Sequence, residues 1–295
     1  MPFSRDASFA VQGKVALVTG ALGAIGKQIT QQLLDGGARV VMADIVNDGS
    51  GETASRELDG DNTRYVQVDL CSIPDIQRML DEATQAFGHV DILINNAGMA
   101  LYNRFYTDET SDNVATAIDL NLRAPIETTR LFVKMLKDSG RQGAVVNVAS
   151  SAGMMPRKGF EIYGTTKAGL IYFTQASQYL APQVRISAVA PYFVDTPMVR
   201  RATTLQNTPI LSPHILITVN DVADAVVAQV KDCKSAGSTV FLVGSWSRLP
   251  VWMFSLSNMY MTLVIVLCMM VGHFKSACGM PSGSKYLILK NSKKN

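Results

Sequence analysis

Apolar residues along this chain fall in short unbroken blocks, and between the blocks they recur every three or four positions. Blocks at 14–19, 39–43, 65–68, 144–149, 184–190 and 239–243, with another inside 88–98, read as strands buried on both faces. The intervening stretches 27–35, 51–58, 73–87, 112–135 and 219–230 read as helices. Strands that alternate with helices in this way predict an α/β fold with a doubly wound parallel sheet.

The pattern ends abruptly after Ser247. Residues 249–272 form 24 positions without a formal charge. As a helix they would be roughly 36 Å long, against a bilayer core of about 30 Å. Ser255, Ser257 and Asn258 weaken the first half of the run. It is therefore a candidate membrane segment, spanning or lying in the interface, and packing on the domain or a partner subunit is the alternative. The expected division is a catalytic domain over 1–247 and a hydrophobic, basic tail over 248–295.

Composition narrows the class. At 295 residues, with 47% hydrophobic and 17% charged, the chain can bury one sizeable core. Six of its 27 basic residues and none of its 24 acidic ones lie in 248–295, so the first 247 residues are net acidic. That gives no electrostatic reason to expect a nucleic-acid partner. The four cysteines lack metal-ligand or disulfide spacing, and no metal is expected. The N-terminus has no apolar signal core, which points to a cytoplasmic location, with the tail as a route to an intracellular membrane.

The chemistry-bearing stretch is 150–167. Tyr163 and Lys167 are four apart, on one face of a helix, and Ser150 stands at the end of the strand before it. A hydroxyl, a phenol and an ammonium brought together can polarise a carbonyl and move a proton. Tyr has an ordinary pKa of about 10, and a neighbouring ammonium is expected to lower it. Near the N-terminus, Gly20-Ala21-Leu22-Gly23-Ala24-Ile25-Gly26 joins a strand to a helix, a pyrophosphate-binding arrangement. Asp44 ends the second strand, where a carboxylate accepts from ribose hydroxyls and repels a 2′-phosphate.

With Asn95-Asn96-Ala97-Gly98, Asn121-Leu122 and the 13-residue spacing of Ser150 and Tyr163, the sequence resembles the short-chain dehydrogenase/reductase family from about Gly13 to Gly244. The resemblance implies a single Rossmann-type domain, NAD as cofactor, and Ser150, Tyr163, Lys167 and Asn121 as catalytic residues. Asn121 would bend its helix and hold a water that relays protons from Lys167. The implied cofactor contacts are Gly20, Leu22, Gly23, Ile25, Gly26, Asp44, Asp69, Leu70, Asn95, Ala97, Tyr163, Lys167, Val194 and Thr196. A homo-oligomer is also implied. Within the family, the pattern is most similar to NAD-linked 15-hydroxyprostaglandin dehydrogenases.

Three positions depart from the family. Ala24 stands where a glycine is frequent, Ala149 where many members carry a second Ser, and Tyr192 where Gly follows Pro. The Tyr192 ring must then lie beside the nicotinamide or enter the substrate pocket. The variable stretch 197–216 is apolar apart from Arg200 and Arg201, which could meet a carboxylate or form a solvated face. His89 is read as a loop residue with no chemistry. The expected function is hydride transfer between a hydrophobic secondary alcohol or ketone and NAD. A non-catalytic dinucleotide sensor or membrane-bound scaffold on the same fold is the alternative.

Overall fold

The structure is a computed structural model. It describes residues 9–101, 111–197, 199–200, 216–243 and 247–250. Eight strands form one sheet: β1 (Val15–Thr19), β2 (Arg39–Asp44), β3 (Thr63–Gln67), β4 (Ile92–Asn95), β5 (Gly143–Val148), β6 (Val184–Pro191), β7 (Thr239–Val243) and β8 (Ser247–Pro250). Their order is β3-β2-β1-β4-β5-β6-β7-β8, with the first seven parallel. The order reverses between β1 and β4, so a crevice opens at the carboxyl ends of those strands.

The helices are α1 (Ala24–Asp35), α2 (Asp48–Asp59), α3 (Ile73–Phe87), α4 (Ser111–Ile118), α5 (Ala124–Asp138), α6 (Glu161–Ala176) and α7 (Val219–Lys231). On one face of the sheet, Ile29 and Leu33 of α1 and Val222, Val226 and Val230 of α7 pack against Val18, Ile92 and Val146. On the other face, Met79 and Leu80 of α3 and Phe132 and Leu136 of α5 pack against Leu17, Leu93 and Val145. Both faces being covered explains why the strands read as solid apolar blocks.

Local chemistry sets the helix ends. The Ser72 hydroxyl accepts from the N–H of Asp75, and Gly88 closes α3 in a left-handed conformation. Thr218 and Asp221 form a reciprocal capping box at the start of α7. The apolar stretch expected as one helix over 112–135 is interrupted: Asp119–Arg123 form a π-helical turn between α4 and α5.

Two features lie beyond the sequence pattern. β8 pairs antiparallel with β7, with Leu249 opposite Phe241, so the sheet continues three residues past 247. The rest of the uncharged run, 251–272, lies outside the described residues. Among the described residues no helix is long and apolar enough to cross a membrane. At the amino ends of the strands, Asp91 is 1% exposed and takes the N–H of Val15 at 3.1 Å. It also pairs with Arg141 at 2.7 Å, His89 at 3.1 Å and, more distantly, Lys14 at 4.0 Å. His89 therefore has a structural partner.

Candidate active site

At the carboxyl end of β1 the chain turns through Gly20, whose φ is +62°. A Cβ there would come within 2.8 Å of Ala97, and one on Gly26 within 2.1 Å of the Gly20 carbonyl. The two glycines thus let the loop fold against α1 and β4. Gly23 precedes α1 without a side-chain cap, so the first N–H groups of the helix have no side-chain partner. Asp44, at the end of β2, accepts from Leu22 N at 2.9 Å and Ile45 N at 2.8 Å.

Asp69 and Leu70 follow β3. Asp69 is exposed, and its carboxylate accepts from Cys71 N at 2.9 Å; Leu70 is buried. The Asn95 side chain faces away from the crevice. It is buried, with its amide donating to Asn147 Oδ1 at 2.8 Å and Thr129 Oγ1 at 3.0 Å. Its side chain therefore lies in the interior and not in the cofactor crevice. Asn95 and Asn147 are register partners on parallel strands, so both leave the sheet on the same side. Asn147 donates in turn to Thr174 of α6 at 2.9 Å. The next residue, Asn96, faces the crevice and donates to the carbonyls of Thr19 and Gly20, each at 3.0 Å. Its backbone N–H and that of Ala97 both donate to Thr19 Oγ1. Thr19 is absent from the residues expected from sequence, and Asn96 enters there only as part of its Asn-Asn-Ala-Gly motif.

A cavity of about 120 Å³ opens where this crevice meets β5 and α6, and Ile25, Gly98, Ser150, Tyr163, Lys167, Val194 and Thr196 are among the residues that line it. Ser150 Oγ accepts from Ala152 N, starting a short 3-10 turn over Ser151–Gly153. Tyr163 and Lys167 lie in the first half of α6, as their spacing predicts. Lys167 is buried, and its Nζ donates to the Val148 carbonyl at 2.9 Å and sits 5.8 Å from the centre of the Tyr163 ring.

The protonation balance differs from the sequence expectation. Burial pushes the Tyr163 phenol up from its ordinary value, opposed by a hydrogen bond with Ser150. The Lys167 ammonium is itself lowered by burial, to about 8. The Lys is close, yet in the protein alone desolvation dominates both groups.

Asn121 is buried in the π-helical turn and is held by Met99, donating to its carbonyl at 2.8 Å and accepting from its N–H at 2.9 Å. The side chain is thus committed to the segment after Gly98. A Cβ on Gly98 would lie 3.0 Å from Asn121 Oδ1 and 3.4 Å from Lys167 Nζ, so glycine keeps the passage between them open. Val194 is bridged to Ile217, and Thr196 Oγ1 accepts from Val199 N. Tyr192 lines the cavity. Arg200 binds Asp195 through two nitrogens at 2.8 and 3.0 Å, and Arg201 lies outside the described residues.

Residues 14–207 match the family described as short chain dehydrogenase. The chain belongs to this family. Over 207 residues it is 35% identical to a 3-oxoacyl-[acyl-carrier-protein] reductase of Vibrio cholerae, covering 68% of this chain and 82% of that one. Over 198 residues it is 33% identical to 15-hydroxyprostaglandin dehydrogenase [NAD(+)] of Mus musculus, covering 64% and 70%. The crystal structure of a 3-ketoacyl-(acyl-carrier-protein) reductase from Brucella melitensis complexed with NADH matches with a TM-score of 0.71 at 26% identity, over 79% of this chain and 98% of that one. Carrier-protein reductases and a prostaglandin dehydrogenase are alike among its relatives, so the prostaglandin subgroup does not stand apart. As a short-chain dehydrogenase, this chain is an oxidoreductase on a nicotinamide-dinucleotide fold. The glycine cradle, the uncapped start of α1 and the Asp44 carboxylate suit that group.

Proposed function

We propose that this chain oxidises a secondary alcohol that is apolar around its reacting carbon, using NAD, and reduces the matching ketone at the same site. The supporting observation is the convergence of Ser150, Tyr163 and Lys167 on one cavity beside the dinucleotide crevice. NAD supplies the hydride acceptor, and its oxidised ring brings a positive charge. Ser150 Oγ holds the substrate oxygen, and Tyr163 Oη takes the hydroxyl proton after its own has passed to the relay. The phenolate is favoured by the Lys167 ammonium and by the charge that bound NAD would add. Lys167, tied to Val148, presents its ammonium to the Tyr163 ring and would hold the ribose of a bound dinucleotide. With the Asn121 amide committed to Met99, the relay water would be held by main-chain atoms of the π-helical turn. Leu22, Gly23, Ile25, Asp69, Ala97, Val194 and Thr196 supply the remaining cofactor contacts, and Asp44 sets the choice of NAD over NADP.

A homo-oligomer in the cytoplasm, with the uncharged run near the C-terminus attached to an intracellular membrane, completes this reading. Carbonate extraction of cells expressing residues 1–295 or 1–250 tests the attachment, which fails if both forms are recovered as soluble protein. For the activity, the protein is given NAD and a panel of lipid, steroid and simple secondary alcohols, and NADH formation is followed by absorbance. Alcohol-dependent NADH formation is expected. NADH binding without turnover on any alcohol would replace the enzyme with the non-catalytic sensor.

A further inference from the structure

Two cationic side chains line the reaction cavity among the described residues: Lys167, which belongs to the proton path, and Arg157, which does not. Arg157 is half-buried on the segment leading into α6, six residues before Tyr163. Its guanidinium carbon lies 4.8 Å from the centre of the Tyr192 ring and 4.9 Å from that of Phe193. Those rings meet edge to face at 4.8 Å and 83°. Arg157 also donates to the Tyr192 hydroxyl. Among the described residues it forms no ion pair, in contrast to Arg200, which is taken up by Asp195.

This is an unusual place for a charge. The two aromatic rings flank the guanidinium, and the Tyr192 phenol occupies one of its five N–H donors. Arg157 itself lines a cavity whose other walls include Ile25, Val148, Phe160 and Val194. A partly desolvated cation in apolar surroundings is stabilised by an anion that presents two acceptors to its fork. A single positive charge matches a carboxylate, whereas a phosphate near −2 would remain under-compensated. Tyr192, the residue that departs from the family's Pro-Gly pattern, is the group that holds the guanidinium in place.

We propose that Arg157 binds a carboxylate of the substrate, so that the alcohol oxidised here is an apolar hydroxy acid and the ketone an oxo acid. This rests on the dehydrogenase reading and narrows its substrate class. The simpler role, a fastener for Tyr192, would affect neutral and anionic substrates alike.

The test compares kcat/KM for a set of hydroxy acids of increasing chain length with that for their methyl esters, which keep the skeleton and lose the charge. Wild-type protein should favour the acid by about 10- to 100-fold, the range of a charge-assisted hydrogen bond, with the difference mainly in KM. In Arg157→Gln the acid-to-ester ratio should fall towards one, while Arg157→Lys keeps part of it. A wild-type ratio near one across the set, or an unchanged ratio in Arg157→Gln, overturns the carboxylate assignment. Turnover of neutral alcohols with no acid preference sinks this inference alone, whereas no NADH from any alcohol, acid or ester sinks the dehydrogenase reading itself.

Discussion

The backbone N–H of Leu22 donates to the carboxylate of Asp44 at 2.9 Å, joining the glycine turn to the end of the second strand. Ile45 N holds the other oxygen at 2.8 Å, so the negative charge is fixed beside the dinucleotide crevice. A 2′-phosphate placed there would meet it at a distance where like charges cost about 1–4 kcal/mol. NAD should therefore be preferred to NADP, and Asp44→Ala should narrow the gap by about 10- to 100-fold in kcat/KM. Equal use of both cofactors by the wild type would contradict this.

Tyr163→Phe removes the proton acceptor and keeps the ring. Turnover should drop by at least about 100- to 10,000-fold, the usual contribution of general acid–base catalysis. NADH affinity, read by fluorescence titration, should stay within a few fold. Lys167→Ala should lose both turnover and affinity. Wild-type rates in Tyr163→Phe would eliminate the mechanism.

Lys167 carries a stability signature of opposite sign to its catalytic value. In the fold its ammonium is lowered to about 8 from 10.5, so between those values the unfolded chain binds more protons. This group's destabilisation is complete below pH 8 and fades as pH rises to 10.5. The full effect is about 3 kcal/mol, offset by roughly 1 kcal/mol for the bond to Val148. Lys167→Met should thus be inactive yet about 2 kcal/mol more stable at pH 7 in urea unfolding without cofactor, with the gain shrinking through that window. A variant less stable than wild type at pH 7 would mean that the ammonium is not desolvated.

Asp91 is buried at the opposite pole from the cavity, with three basic side chains around it. Asp91→Ala removes their shared partner and leaves Val15 N without its side-chain acceptor. A loss of about 3 kcal/mol is expected from denaturant unfolding, in the range for breaking a buried pair. The kcat/KM per folded molecule should be unchanged. A large kinetic effect with full stability would place Asp91 in the reaction instead.

The seven parallel strands were legible because helices cover both faces of the sheet, and the reacting trio because a four-residue spacing fixes a helix face. The same double coverage hid the orientation of Asn95: a strand without polar alternation does not disclose which of two adjacent Asn faces the core. Only its register with Asn147 does. Helical periodicity is continuous on either side of Asn121, so the bend there was legible only through the family resemblance and its π-helical form not at all. The proton affinities of Tyr163 and Lys167 depend on burial, which residue spacing does not carry. Arg157 stands in an irregular segment with no period, and its significance comes from the distant Tyr192 and Phe193.

Helix α6 is fastened to one strand at two places. Thr174 accepts from Asn147, and Lys167 donates to Val148, the next residue along β5. The fastenings are seven residues apart, roughly 10 Å along the helix axis. One fastening would act as a pivot; two act as a rail and leave the helix no direction in which to swing. At Tyr163, one turn beyond the upper fastening, a tilt of a few degrees would otherwise become a displacement of several tenths of an ångström. The variable sequence after Thr196 can then differ in length and composition while the hydroxyl that receives the proton keeps its aim.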